Sequence, residues 1–237
     1  MKSKIAIVLL IVLGIGVAIV SSRRTGTTPT LVSNQIIQAK TDEEAIRAFT
    51  NKPNLELKSL GEDLPTIYFR VGKVTKVGNG ENMEKVDGWV RQVNVYDEKT
   101  PLSGGCYVYE YQVDPRNHTL TSVFLKGLHQ NEIEALKNQG VTCVANPTPA
   151  PKVSRQEAET LAMEYLQRTL PNFNEIKDQF TYSSQNNGES HQWLWENKDY
   201  NLPEGLSARP YQYPIIRISV YGNNEVQYWN TVSFFQQ

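Results

Sequence analysis

The sequence has few of the residues that most often carry out catalysis or bind metals. It contains only two cysteines and three histidines in 237 residues. His118, His129 and His191 are scattered along the chain, and there is no HExxH motif or Cys-x-x-Cys pair, so the spacing predicts no metal site. A G-x-S-x-G nucleophile elbow and a glycine-rich phosphate loop between a strand and a helix are also absent. The motifs therefore predict no cofactor and no catalytic residues, and the protein is interpreted as a non-enzyme.

Clustered positive charge is missing as well. The chain has 24 basic and 25 acidic residues, and four of the basic ones, Lys2, Lys4, Arg23 and Arg24, flank an N-terminal apolar run. Without those four, 20 basic residues stand against 25 acidic ones, a net charge of −5. Nucleic-acid binding draws most of its affinity from clustered Lys and Arg that neutralise phosphates. The charge distribution thus excludes a nucleic-acid partner.

The most informative segment that is present is the uncharged, largely apolar run Ile5–Ser22. It is close to the roughly 20 residues that span a bilayer, and residues 1–24 are predicted to be a single-pass anchor in the cell membrane. The N-terminal amine and two lysines slightly outweigh the two arginines after the run, which favours a cytoplasmic N-terminus and an extracytoplasmic body. The alternative is a cleaved signal segment and a secreted protein, although no small-residue A-x-A site ends the run.

The only two cysteines, Cys106 and Cys143, are predicted to form a disulfide. A lone pair of cysteines in an exported protein is most simply bridged. On the chain-entropy model, closing a loop of about 38 residues contributes roughly 3 to 4 kcal/mol. The alternative is a pair of buried, reduced thiols.

Composition divides the rest of the chain. Alternating prolines at 147, 149 and 151 hold an extended polyproline II form, so this stretch is interpreted as a short stiff linker. The predicted segments are a flexible tether over 25–40, a first module over 41–143, the linker over 144–152 and a second module over 153–237.

The two modules share a pattern. Thr41 with Glu44 and Ser154 with Glu157 both match the capping box that starts a helix. Runs of strand-forming residues follow each predicted helix. The predicted strands and hairpins are a strand over 89–96, a hairpin of 106–113 with 119–125, and a hairpin of 214–221 with 225–234; an additional helix is predicted over 131–138. The predicted fold class is α+β, with an N-terminal transmembrane helix followed by two tandem modules, each a helix on an antiparallel sheet.

A family resemblance follows from the second module. Its helix start at Ser154, the Trp193-x-Trp195 pair and the closing hairpin over 213–228 resemble the PepSY family and its tandem relatives in bacterial envelope proteins. The resemblance covers residues 153–237 clearly and the first module faintly. It implies a PepSY-like, non-catalytic extracytoplasmic module, linked in some members to inhibition or chaperoning of secreted peptidases, with no catalytic residues to carry over. The insert over 197–211 departs from the pattern and is expected to reshape one edge of the sheet.

Aromatic residues crowd the second module and give the candidate binding surface. If exposed, such rings offer a large contact area at low entropic cost; if buried, they form the core. A partner strand added to an open sheet edge is a further mode of binding that leaves little trace in sequence. The candidate surface residues are Trp193, Trp195, Tyr211, Tyr213 and Trp229.

The sequence therefore favours a membrane-anchored binding module whose partner is a secreted or membrane protein such as a peptidase. A structural or assembly component of the cell envelope is the alternative. An envelope hydrolase, assembled from residues distant in sequence, is the remote one.

Overall fold

The computed structural model describes residues 39–63, 70–86, 92–102, 105–144 and 153–235. The predicted membrane anchor, most of the tether and most of the proline-rich linker lie outside these residues. The first residues of the strand predicted over 89–96 lie outside them too. Everything below refers to the described part of the chain.

Three of the four helices begin within one residue of a predicted helix start, whereas the short α4 is not predicted from the sequence. At α3, the Ser154 hydroxyl accepts from the Glu157 backbone N–H and the Glu157 carboxylate accepts from the Ser154 N–H, so the capping box is complete. At α1, Thr41 caps the Glu44 N–H, but the Glu44 carboxylate accepts from Lys40 instead of Thr41. The α1 box is therefore only half formed. The helices are α1 (Asp42–Thr50), α2 (Gln130–Asn138), α3 (Arg155–Thr169) and α4 (Phe173–Ile176).

The described structure contains eleven strands, and all their pairings are antiparallel. Both predicted hairpins are confirmed, as β5–β6 and β10–β11. The strands are β1 (Leu57–Asp63), β2 (Arg70–Val77), β3 (Gly80–Lys85), β4 (Val93–Glu98), β5 (Tyr107–Asp114), β6 (Thr119–Gly127), β7 (Thr181–Asn186), β8 (Ser190–Glu196), β9 (Leu206–Arg209), β10 (Ile215–Tyr221) and β11 (Val226–Asn230).

Eight of these strands form one continuous sheet, in the order β1-β4-β5-β6-β11-β10-β8-β7. The N-terminal half of the chain supplies the first four and the C-terminal half supplies the last four. The halves meet where β6 pairs with β11, with Val123 opposite Tyr228 and Ser122 opposite Trp229. The other three strands form a small sheet in the order β3-β2-β9, to which both halves again contribute.

The main core lies between one side of the large sheet and the helices α1 and α3. Because successive strand residues point to opposite faces, alternate residues of the inner strands, such as β5, β8 and β10, enter this core. Both helices and both halves of the sheet contribute to it, for example through Ile46, Leu166, Tyr111 and Trp193. A second, smaller core lies where the small sheet meets the large one, and its buried residues are Val71, Val93, Val95, Ala208, Phe234 and Phe235.

The predicted fold class is therefore wrong. The described structure is mostly antiparallel sheet, and its two halves share one sheet and one main core instead of forming two tandem modules. The insert over 197–211 does not reshape an edge of the large sheet. It supplies β9, which pairs with β2 of the other half.

The transmembrane helix of that fold class is not found among the described residues either, since no helix there combines the length and hydropathy needed to cross a membrane. The predicted anchor over residues 1–24 lies outside the described residues. The division of the chain at residues 144–152 stays a prediction.

Candidate functional site

The two tryptophans of β8 lie in the main core. Trp193 pairs with Ile218 and Trp195 with Ile216, which places both rings on the side of the sheet that faces α1 and α3. Trp193 is 1% exposed and Trp195 is 4% exposed. Both rings therefore act as core residues, which is one of the two interpretations that the sequence leaves open.

The other three candidate residues come together on the opposite side of the sheet. Trp229 pairs with Arg217, the neighbour of Ile218, so it faces away from α1 and α3. The Tyr211 ring lies 5.5 Å from the Trp229 ring and 5.9 Å from the Tyr213 ring, measured between centroids. The Arg217 guanidinium lies 4.9 Å from the centre of the Trp229 ring, a cation–π contact. These four residues, Tyr211, Tyr213, Arg217 and Trp229, are called the aromatic cluster below.

The aromatic cluster has a buried floor and a half-exposed rim. Trp229 is 6% exposed, whereas Tyr211, Tyr213 and Arg217 are half-buried. Such a cluster offers ring faces, hydroxyl groups and one cation to a ligand. The arrangement is suited to binding another molecule by stacking and hydrogen bonding.

Hydrogen bonding fixes the rim. The Tyr213 hydroxyl donates to Glu196 Oε1 at 2.9 Å, and Lys198 Nζ lies 3.1 Å from Glu196 Oε2. Burial, followed by this hydrogen bond, raises the pKa of Tyr213 to about 12. Because the phenol stays protonated at neutral pH, it remains a hydrogen-bond donor held toward Glu196.

Sequence reasoning missed Arg217 and Tyr182. The position of Arg217 could have been predicted from the turn of the β10–β11 hairpin, because the turn sets the strand register and that register puts Arg217 opposite Trp229. Tyr182 is 49% exposed and packs 5.3 Å from the buried Trp195 ring, but it lies in β7, a strand that the sequence does not predict. The polar sequence of β7, TYSSQN, has no apolar alternation that would indicate a strand.

A histidine and an aspartate meet at the start of α1. The buried Asp42 carboxylate accepts from Asn94 Nδ2 at 2.7 Å and from the Tyr96 hydroxyl at 3.0 Å, and lies 2.5 Å from His118 Nδ1. Burial, followed by the bond to Asp42, raises the pKa of Tyr96 to about 12. Among the described residues, no serine, threonine or cysteine side chain bonds to this histidine. The network joins α1, β4 and the β5–β6 turn around one carboxylate.

An open cavity of about 600 Å³ lies beside the loop that follows α1. The buried Glu98 lines it, and its carboxylate accepts from the Tyr111 hydroxyl at 2.7 Å and lies 3.6 Å from Lys52 Nζ. Burial raises the pKa of Tyr111, with the Glu98 charge as the next cause. Since the carboxylate already has a donor and a cation, the cavity presents a neutralised pair of charges to solvent.

The other two histidines are not part of a candidate metal site in the described part of the chain. Among the described residues, no group of three or more His, Cys, Asp or Glu side chains is placed to hold a metal ion. His191 contacts the Val153 carbonyl at 3.2 Å, and the exposed His129 lies at the start of α2.

The two cysteines are paired as predicted. Their sulfur atoms lie 2.02 Å apart, at the distance of a disulfide bond. The pair joins the residue before β5 to the segment that follows α2, and the Cys106 N–H donates to the Val144 carbonyl at 3.1 Å. The segment after α2 is thereby held against the start of β5.

Comparisons with models of protein families, with curated proteins and with solved structures found no match to this chain. The resemblance to the PepSY family accordingly stays a prediction.

Proposed function

We propose that this protein is a non-catalytic binding protein that contacts a protein partner through the aromatic cluster. The observation that carries the proposal is the half-exposed rim of Tyr211 and Tyr213 beside Arg217, over the buried Trp229. Tyrosine, tryptophan and arginine are the side chains enriched where partners bind most strongly, and such residues cluster around well-packed centres.

The proposed place of action is outside the cytoplasm, at the cell membrane. The apolar run Ile5–Ser22 with its flanking positive charges supports membrane attachment, and a cysteine pair at disulfide distance is typical of an oxidising compartment. Together with the resemblance to the PepSY family, these features favour a secreted or membrane protein, such as a peptidase, as the partner.

Photo-crosslinking in native membranes tests this proposal. A benzophenone amino acid is placed at Gln212, an exposed residue between Tyr211 and Tyr213, so that the aromatic cluster itself stays unchanged. The matched control carries the same amino acid at Lys137, an exposed residue of α2. We expect a discrete adduct with another protein at Gln212 that is absent at Lys137.

A second substitution links the adduct to the cluster. Arg217→Met removes the cation over Trp229 and should reduce the adduct at Gln212 by about tenfold, the effect of removing a contact worth about 1.4 kcal/mol. Equal adducts at Gln212 and Lys137, or an adduct that Arg217→Met leaves unchanged, would contradict the proposal. An adduct only with a second copy of this chain would favour the structural component of the envelope instead.

A further inference from the structure

The edge strands of the two sheets differ in charge. The large sheet ends in β1 and β7, and the small sheet ends in β3 and β9. Native proteins usually protect such edges with charged residues, prolines or bulges, because an unprotected edge pairs with other strands. Of the four, β7 alone has neither a charged residue nor a proline, and all six of its residues are exposed. The charged residues of the other three edges are Lys58, Glu62 and Asp63 in β1, Glu81, Glu84 and Lys85 in β3, and Arg209 in β9.

The two edges of the large sheet also differ in regularity. The β1–β4 register shifts between Ser59 and Gly61, and Gly61 has a φ of +93°. This irregularity bends the strand and interrupts the row of backbone groups that a partner strand would need. The β7–β8 register runs without a shift from Thr181 to Asn186. Alternate residues of β7 therefore present regularly spaced N–H and C=O groups outward.

Two side chains mark the edge of β7 on the side that faces the helices. Tyr182 packs on Trp195 and is half-exposed, and two residues further on, Ser184 Oγ accepts from Arg155 Nη2 at 3.0 Å. Because residues two apart share a face, the Tyr182 side chain and the serine that Arg155 contacts lie on the same face of β7. Arg155 is the first residue of α3 and is exposed.

We propose that β7 is a docking edge for an extended segment of another protein that carries a carboxylate beside Arg155 and an aromatic or aliphatic side chain beside Tyr182. In strand addition, backbone hydrogen bonds supply affinity and alternate side chains supply specificity. Arg155 would select the acid, and Tyr182 would select the apolar residue two positions away. The inference rests on the proposed function in assuming a protein partner, but it concerns a different surface, so its failure leaves the role of the aromatic cluster standing.

Arg155 also makes a second copy of the chain a poor occupant. Two β7 strands related by a twofold axis would pair antiparallel, with the same face of each strand on the same side of the joined sheet. Each copy would bring its own Arg155 to that side, near the middle of the strand. Like charges brought together across strands are destabilising. The charge pattern thus favours an acidic segment from another protein.

Selection from a library of random 12-residue peptides, displayed on phage, against the full chain in detergent tests the proposal. Enriched peptides should carry Asp or Glu two residues from an aromatic or aliphatic residue. Arg155→Glu should weaken binding of those peptides by about tenfold and should select Lys or Arg at the same position, since it reverses the charge at the edge. Lys137→Glu makes the same change of charge on α2 and should leave both the selection and the binding unchanged.

Proline substitution tests the edge itself. The backbone N–H groups of adjacent strand residues point to opposite sides, so one of Ser183 and Ser184 points its N–H toward β8 and the other points it outward. A proline at the outward-facing position (Ser183→Pro or Ser184→Pro) removes a group that a docked strand needs and leaves the β7–β8 pairing intact. The melting temperature identifies the tolerated variant, and Ser184→Ala controls for loss of the hydroxyl. We expect the tolerated proline variant to lose peptide binding.

Four results would overturn the inference: no peptides enriched above background, an unchanged selection with Arg155→Glu, binding that survives the tolerated proline, or a dimer of the free chain in sedimentation that the same proline abolishes. The last result would assign the edge to a second copy of the chain.

Discussion

The two halves of the large sheet have the same order of elements but differ in what stabilises them. From the edge to the centre, the N-terminal half runs β1, β4, β5, β6 under α1, and the C-terminal half runs β7, β8, β10, β11 with α3. Each half also contributes to the small sheet, the N-terminal half through β2 and β3 and the C-terminal half through β9. The two contributions are joined by the pairing of β2 with β9.

Their interiors differ in chemistry. Among the described residues, the N-terminal half buries four carboxylates, Asp42, Asp97, Glu98 and Asp114, whereas the C-terminal half buries one, Glu196. The C-terminal half instead buries three tryptophans, at 193, 195 and 229. Buried carboxylates stabilise only when donors and cations surround them, and buried rings stabilise mainly through the apolar area that they remove from water. We therefore expect the folded state to be destabilised by loss of single polar contacts in the N-terminal half. In the C-terminal half, we expect it to be destabilised by substitutions that shorten buried side chains.

The largest effect is expected from removing volume in the C-terminal half. Trp193→Ala should destabilise the protein by about 3 to 5 kcal/mol, because the ring is 1% exposed and lies in the main core. Tyr182→Ala removes a half-exposed ring from the neighbouring strand and should cost much less. Urea unfolding followed by circular dichroism measures both changes. A loss below about 1 kcal/mol for Trp193→Ala would contradict the assigned core, since Ala substitution of a buried Trp normally costs more.

The cysteine pair gives the next largest effect, and it belongs to the N-terminal half alone. Replacing both Cys106 and Cys143 by serine should lower the free energy of unfolding by roughly 3 to 4 kcal/mol, because the pair closes a 37-residue separation in the unfolded chain. Reducing agent should destabilise the unmodified protein similarly and should not affect the double serine variant. Equal stability with and without reducing agent would count against the bridge.

Local signals in the sequence are sufficient to predict the main helix starts and both hairpins. Ser154 with Glu157 predicts the start of α3, and the turn Gly222–Asn224 predicts the β10–β11 hairpin, because both depend on residues close together in sequence. The pairing of β6 with β11 depends on residues about 100 positions apart, such as Val123 and Tyr228. No local pattern specifies such a contact, which is why the sequence alone predicts two separate modules.

The candidate site is predictable in part for the same reason. Aromatic composition indicates Tyr211, Tyr213 and Trp229, but it does not separate them from Trp193 and Trp195 on the other side of the sheet. The hairpin register makes that separation, since it puts Trp229 opposite Arg217 and Tyr228 opposite Ile218. The β7 edge leaves no apolar pattern, because its exposed residues do not contribute to the core.

Two tyrosines allow the halves to be compared at high pH. The phenols of Tyr96 and Tyr213 donate to Asp42 and Glu196, one pair in each half, and burial and these bonds raise both pKa values to about 12. An unfolded tyrosine ionises near a pKa of about 10. From that pH upward the unfolded state releases protons that the folded state still holds, so stability is fully present below pH 10 and is lost as the pH rises through about 12.

Substituting the acceptors separates the two tyrosines. Asp42→Asn should lower the pKa of Tyr96 and leave that of Tyr213, and Glu196→Gln should do the reverse. Tyrosinate absorbance, assigned with Tyr96→Phe and Tyr213→Phe, measures both. Titration of both phenols near pH 10, their ordinary value, would show that neither hydrogen bond forms.

The smallest effect is expected at the helix starts, where the halves differ by one hydrogen bond. Ser154→Ala and Thr41→Ala should each cost about 1 kcal/mol, the usual value for losing a hydroxyl cap. Ser154→Ala should cost more than Thr41→Ala, because the Ser154 hydroxyl also donates to the Glu157 carboxylate at 2.6 Å, whereas within the described part of the chain the Thr41 hydroxyl makes only the cap bond. Bonds from Ser154 lower the pKa of Glu157, so Ser154→Ala should also raise that pKa, which carboxyl NMR shifts would report. Ser183→Ala, at an exposed serine outside any cap, is the control and should change neither quantity. Equal losses at the two caps, with the pKa of Glu157 unmoved, would mean that the complete box stabilises α3 no more than the half-formed box stabilises α1.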